Sequence, residues 1–148
     1  MARDDWATFE EFSEQLGNEQ HNFSSDTLKA GLVDSTITPT AGDTTPTWTD
    51  YSANEVGTGG GYVAGGITLT SVTWTETGGT ATLDAADIAL SQDGAGFTDA
   101  YWLILYNDTN ATDMAIGFLD LGGPVSEVAG PITITWNASG IITNAVTA

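Results

Sequence analysis

Six consecutive apolar residues, Tyr101 to Tyr106 (YWLILY), stand between Asp99 and the polar pair Asn107-Asp108. A buried helix needs about ten residues or more, whereas a strand covered on both faces needs only a run like this one, so the segment is predicted to be the central strand of a sheet.

The flanking sequence carries the same period. Leu28, Ala30 and Leu32 alternate with Thr27, Lys29 and Gly31 and predict a first strand. Ile67 and Leu69 share one parity and Val72 and Trp74 the other, so a bulge or corner near Thr70-Ser71 must carry the chain from one sheet to another. Gly78-Gly79 predicts a hairpin turn into Thr80 to Asp84, with Ala81 and Leu83 inward. Met114, Ile116 and Phe118 alternate after the hairpin connection NDTNATD, and Gly122, Gly123 and Pro124 close that unit. Ile132, Ile134 and Trp136 alternate before Ser139-Gly140, which is predicted to turn into a final hairpin with Ile141 to Val146. Residues Asp34 to Trp48 read as a long exposed loop, and Thr49 to Val56 as one helical turn capped by Thr49 or Asp50 before the Gly57 to Gly61 run. About seven or eight short strands separated by turns predict a mainly β fold, an antiparallel β-sandwich of Ig-like or jelly-roll type.

The N-terminus follows another period. Trp6, Phe9, Phe12 and Leu16 recur every three or four residues among Asp4, Asp5, Glu10, Glu11 and Glu14, which predicts a short amphipathic helix ended by Gly17. The chain then divides into an N-terminal helix or arm with its connector, residues 1–24, and a β domain, residues 25–148. Two placements follow for the aromatic stripe. It packs on the parent domain, or it docks on a neighbouring subunit, which makes Trp6, Phe9, Phe12 and Leu16 the interface candidates. On the second placement, removing residues 1–20 leaves a folded β domain.

Composition sets the negative conclusions. Against 20 acidic residues stand only Arg3 and Lys29, for a formal charge of −18. Phosphate backbones and anionic membrane surfaces require clustered basic residues, so nucleic acid and membrane are excluded as partners. No apolar run approaches the roughly 20 residues of a membrane-spanning helix. Met1 to Leu16 contains no apolar h-region, so synthesis in a cytoplasm is expected. Cysteine is absent, which removes disulfides, thiolate metal sites and cysteine nucleophiles. The N-x-S/T triplets at Asn22, Asn107, Asn110 and Asn137 follow from Thr-rich and Asn-rich composition and are not read as glycan sites.

Residues suited to chemistry are few. His21 is the only histidine, and it sits in a polar connector. Asp84 with Asp87, and Asp93 with Asp99 around Gly94 to Gly96, offer oxygen ligands for a calcium ion, but neither spacing matches a calcium loop. The Gly57 to Gly61 run lacks the lysine of a phosphate-binding loop. Trp74, Trp102 and Trp136 fall within strands, where core packing outweighs ligand stacking. No catalytic residue and no cofactor is assigned, and the expectation is a binding protein rather than an enzyme.

The ordered segments HNFSSDTLKAGLV (21–33), GYVAGGITLT (61–70), YWLILYND (101–108), AIGFLDLGGPV (115–125) and the terminal ITITWNASGII resemble small virion structural proteins of tailed bacteriophages, of the capsid decoration or cement class. The Asp34 to Trp48 loop departs from that class, in which the connection is shorter. The resemblance implies a non-enzymatic protein made in the host bacterial cytoplasm and added to the outer capsid surface. Its implied partners are the major capsid protein and other copies of itself, as a homotrimer. A tail-associated receptor-binding or fibre-tip domain recognising host glycans is the alternative.

Overall fold

The computed structural model describes residues 5–146, with Asp5 as backbone only. Its elements are strands β1 (Asp5–Thr8), β2 (Leu28–Val33), β3 (Ile67–Thr68), β4 (Thr73–Thr77), β5 (Thr80–Asp84), β6 (Ile88–Leu90), β7 (Ala100–Asn107), β8 (Ala115–Val125), β9 (Ile132–Ile134) and β10 (Ile142–Ala145), with short helices α1 (Phe12–Gly17) and α2 (Trp48–Ser52). The protein is mainly β, and every strand pair is antiparallel.

Five strands form the main sheet in the order β1-β8-β7-β2-β3, which places the YWLILY strand at its centre as predicted. Both of its faces are covered. Leu28, Ala30, Leu32, Leu103, Leu105 and Leu119 line one face and share a core with Leu83, Ile88, Leu90, Ile132, Ile134 and Ile142 from the two smaller sheets, β10-β5-β4 and β6-β9. Val33, Ile104, Tyr106, Ala115 and Phe118 line the other face under Phe9, Trp48 and Tyr51. Burial on both sides is why β7 needs no polar alternation.

The corner predicted near Thr70-Ser71 is present. Ser71 takes φ +55°, and it separates β3 in the main sheet from β4 in the three-stranded sheet. The β4–β5 hairpin turns at Gly78 and Gly79, with Thr77 opposite Thr80. Leu83 is fully buried there while Ala81 is half-buried.

Several expectations are corrected. The stretch read as one amphipathic helix is strand β1, a turn, and the six-residue α1. Pairing with β8 (Trp6 opposite Leu119, Thr8 opposite Gly117) satisfies backbone groups that would otherwise leave the β8 edge open. Residues three apart lie on opposite sides of a strand, so Trp6 packs against one core and Phe9 enters the other. β1 therefore belongs to the same sheet as residues 28–33, and the boundary at residue 24 does not separate an arm from the β domain.

The Met114, Ile116, Phe118 alternation is broken by a bulge: Leu105 pairs with Gly117 but Tyr106 with Ala115, so Ile116 joins the first core and Phe118 the second. Gly122, Gly123 and Pro124 do not close the unit either, because β8 continues through them to Val125.

The last two strands form no hairpin. β9 pairs with β6 and β10 with β5, since Gly140 at φ +97° passes where a Cβ would meet the Thr82 side chain at 2.2 Å, so the chain crosses between sheets. The helical turn begins at Trp48, not Thr49, and its cap is Thr47, whose N–H and Oγ1 both donate to Asp50 Oδ2 at 2.8 Å. The Asp34 to Trp48 loop is tethered to the domain: Glu10 N–H donates to Ala41 O, Thr45 N–H donates to Glu11 Oε2, and Tyr51 O–H donates to Asp43 Oδ2. Burial pushes the Asp43 carboxyl up, but hydrogen bonds from Thr40 and Tyr51 outweigh it and hold the group below its ordinary value.

Candidate binding site along helix α1 and its connector

The polar residues gather around α1. An α-helix of six residues is unstable alone, and this one is held by Phe12, buried in the main core, and by Leu16 packed against it. The connector then folds back so that His21 packs against both Phe12 (5.9 Å between ring centroids) and Phe23 (5.6 Å, 6° between planes), which also touch each other at 6.0 Å. His21 is 7% exposed, and burial lowers its pKa to about 4, with the Asp26 carboxylate partly opposing. It is a neutral, packed imidazole at ordinary pH.

Its tautomer follows from its neighbours. Asn107 Oδ1 accepts from the N–H groups of Thr109 (3.0 Å) and Asn110 (3.3 Å), which turns Asn107 Nδ2 toward Asp26 Oδ2 (2.7 Å), Gln20 O (3.2 Å) and His21 Nδ1 (3.3 Å). Facing a donor, Nδ1 carries no proton, so Nε2 carries it and donates to Gln15 Oε1 at 3.0 Å.

Two grooves flank this network. The larger, about 490 Å³, is lined by Leu16, Glu19, His21, Asn22, Phe23 and Trp74. Glu19, at φ +57°, takes the left-handed conformation after the helix end, where glycine is usual. The smaller, about 280 Å³, is lined by Glu11, Glu14, Gln15, Asn18, Gln20, Thr45 and Met114.

Of the interface candidates, Phe9 (1% exposed) and Phe12 (5%) are in the protein's own core. Trp6 is half-buried, edge-on to Trp136 at 6.2 Å, with its indole N–H donating to Thr8 Oγ1. Leu16 is half-buried against the main core. Packing on the parent domain is thus the placement found. Trp136 is buried, and Trp74 and Trp102 are half-buried at the core margins.

Three of the four carboxylates singled out for calcium accept backbone N–H groups. Asp84 accepts from Ala85 N–H, Asp87 from Trp136 N–H and Asp93 from Ala95 N–H, while Asp99 at φ +61° donates its own N–H to Ser126 Oγ. Among the described residues no three acidic or histidine side chains are arranged to hold a metal ion. The GYVAGG segment is also structural. Tyr62 O–H donates to Glu55 Oε1 and accepts from Leu32 N–H, each at 2.8 Å, and so covers part of the β2 edge beyond the short β3. Burial and the Glu55 hydrogen bond raise the Tyr62 pKa, which keeps it a neutral donor.

Gln15, Glu11 and Glu14 were not singled out from the sequence. The spacing 11, 14, 15, 18 is the polar stripe of the predicted helix, so the signal was present, but its closure by Thr45 and Met114 from distant segments was not readable. No helix among the described residues is long and apolar enough to cross a membrane. Comparison with protein-family models, curated proteins and solved structures finds no match.

Proposed function

We propose that the chain is a virion structural protein of a tailed bacteriophage, a capsid decoration or cement protein that binds the outer capsid surface as a homotrimer and stabilises the head. The observation that carries this reading is the three-stranded sheet β10-β5-β4, whose outer strands β4 and β10 have no further strand beside them among the described residues. Thr73, Thr75, Glu76 and Thr77 on β4, and Thr143, Asn144 and Ala145 on β10, are exposed, and Val146 beyond β10 is 80% exposed. Open strand edges are places where another chain adds hydrogen bonds, and a symmetric trimer covers them. The segments that carry the resemblance supply framework positions: Leu28 to Val33, Tyr62, the central strand and Ile132 to Ile134. On the same reading, the main sheet and the two smaller sheets across the shared core are the layers of a β-sandwich of Ig-like or jelly-roll type.

The thermodynamic role follows from linkage. A protein that binds across capsid subunit boundaries finds its full interface only in the assembled shell and so stabilises that state. The test is addition of purified protein to shells lacking it, with bound stoichiometry and shell heat resistance measured. Saturable binding in proportion to the major capsid protein, with a higher disruption temperature, is expected. Failure to bind, or presence in virions at only tail-tip copy number, overturns the reading.

The alternative, a tail-associated domain recognising host glycans, draws on the larger groove, where Trp74 and Phe23 lie beside Glu19 and Asn22. Tail-tip copy number together with glycan binding lost in Trp74→Ala would favour it.

A further inference from the structure

The three-stranded sheet β10-β5-β4 has two open edges among the described residues, and its register fixes which backbone groups each edge presents. Val146 N–H donates to Gly79 O at 2.8 Å, so by the alternation of an antiparallel ladder Asn144 also faces β5, while the N–H and C=O groups of Thr143 and Ala145 point outward. On the other edge, Gly78 and Gly79 at φ +61° and +86° form a two-residue turn that closes on a hydrogen-bonded pair, Thr77 with Thr80. The same alternation turns the backbone groups of Trp74 and Glu76 outward. Each edge thus offers a pair of outward residues with one inward residue between them.

β10 carries none of the features that keep a strand edge unpaired. Its register with β5 runs from Ile142 to Ala145 without a shift, it contains no proline, and no charged side chain follows Glu127 in a chain with 20 acidic residues. Thr143, Asn144 and Ala145 are nonetheless exposed, and Val146 is 80% exposed. Copies of a chain with a formal charge of −18 repel one another least where no charge lies, whereas a basic partner gains nothing from a neutral strand. The occupant that suits this edge is therefore a second copy.

We propose that β10 of one copy pairs in parallel with β4 of the next, so that the sheet continues from copy to copy around a closed ring. β10 and β4 are both antiparallel to β5 and so run the same way. A threefold rotation keeps two strands side by side only when its axis runs along them, and such a rotation preserves strand direction, so the strands that it joins are parallel. Pairing of β10 with a second β10 about a twofold axis is antiparallel and leaves β4 open. In the parallel register Trp74 N–H donates to the C=O of Thr143 of the partner subunit, the N–H of the partner's Ala145 donates to Trp74 O, and Glu76 N–H donates to the C=O of the partner's Ala145. Glu76, the one charged residue of β4, meets no charge on β10. The threefold rests on the trimer proposed above, and the inference names the edges that make it.

The test is the solution mass by light scattering, with amide hydrogen exchange, on the intact protein and on Ala145→Pro. Proline removes an outward N–H and keeps the bonds to β5, so the variant should stay folded by circular dichroism while its mass falls to one third of the parent's. In the parent, the amides of Trp74, Glu76 and Ala145 should exchange as slowly as that of Thr82 on the inner strand, and in the variant those of Trp74 and Glu76 should become fast. If Ala145→Pro does not fold, exchange in the parent decides alone. A monomeric or dimeric parent overturns the ring. A trimer whose edge amides exchange fast, or one that Ala145→Pro leaves intact, overturns the edge pairing and leaves the capsid reading standing. A trimer with protected edges that does not bind shells overturns the capsid reading and leaves the pairing.

Discussion

Gly31 and Trp48 occupy one space: a Cβ on Gly31 would stand 2.3 Å from Cη2 and Cζ3 of the indole. Trp48 is fixed on its other side by stacking on Tyr106 at 5.1 Å and 3°. Neither ring can retreat, because Tyr106 belongs to the central strand. Gly31→Ala is expected to cost about 1–3 kcal/mol through overpacking, read as a lower denaturant midpoint at unchanged slope. Gly57→Ala, with nothing within 4 Å of the added carbon, is the reference and should stay within about 0.5 kcal/mol of the parent.

His21 makes stability pH-dependent. Its folded pKa, about 4, lies below its ordinary value of 6.5, so on acidification the unfolded chain takes up the proton first. Stability from this group is therefore complete above about pH 6.5, falls between there and about pH 4, and changes no further below that; the full span corresponds to about 3 kcal/mol. Comparing the parent with His21→Gln isolates the effect. The gap between their thermal midpoints should change steadily from pH 7 to pH 4, and a constant gap would show that the buried imidazole does not titrate as described.

Glu127 is fully buried, with Oε1 accepting from Gly61 N–H at 2.8 Å and Oε2 without a partner. Gly60 and Gly96 press on the carboxylate so closely that a Cβ on either would lie within 2.6 Å of Oε2, which is why the glycine run is glycine here. Glu127→Ala leaves the Gly61 N–H unpaired and should cost about 1–3 kcal/mol. Glu127→Gln keeps the acceptor for the Gly61 N–H, so a smaller loss than in Glu127→Ala is expected. Both are read by denaturant unfolding.

Removal of residues 1–20 is now expected to damage the fold rather than leave an intact β domain. It strips β1 from the main sheet, uncovers the β8 edge, and takes Phe9 from one core and Phe12 from the other. Loss of an aromatic core residue alone costs about 3–5 kcal/mol, so the truncated chain should lose its cooperative thermal transition and bind a hydrophobic dye.

What was readable in the sequence was whatever depends on neighbours a few residues apart. YWLILY announced a strand covered on both faces, and the parity change across Thr70-Ser71 announced a corner, because side-chain direction along a strand is a local property. The β4–β5 hairpin was legible in Gly78-Gly79 for the same reason. The N-terminal segment misled because Trp6, Phe9, Phe12 and Leu16 satisfy a helical period, while the open edge of β8 offered residues 5–8 hydrogen bonds that local spacing does not register.

By itself, then, the sequence determined a mainly β chain, its central strand, and a strong net negative charge, since these follow from composition and short-range pattern. Tertiary structure alone decided that β10 pairs with β5 instead of β9, that a bulge turns Ile116 and Phe118 to opposite faces, and that His21 is neutral and points Gln15 Oε1 away from any other partner. Each of these depends on groups brought together from distant parts of the chain, and only the folded packing sets which backbone edge, which face and which proton position costs least.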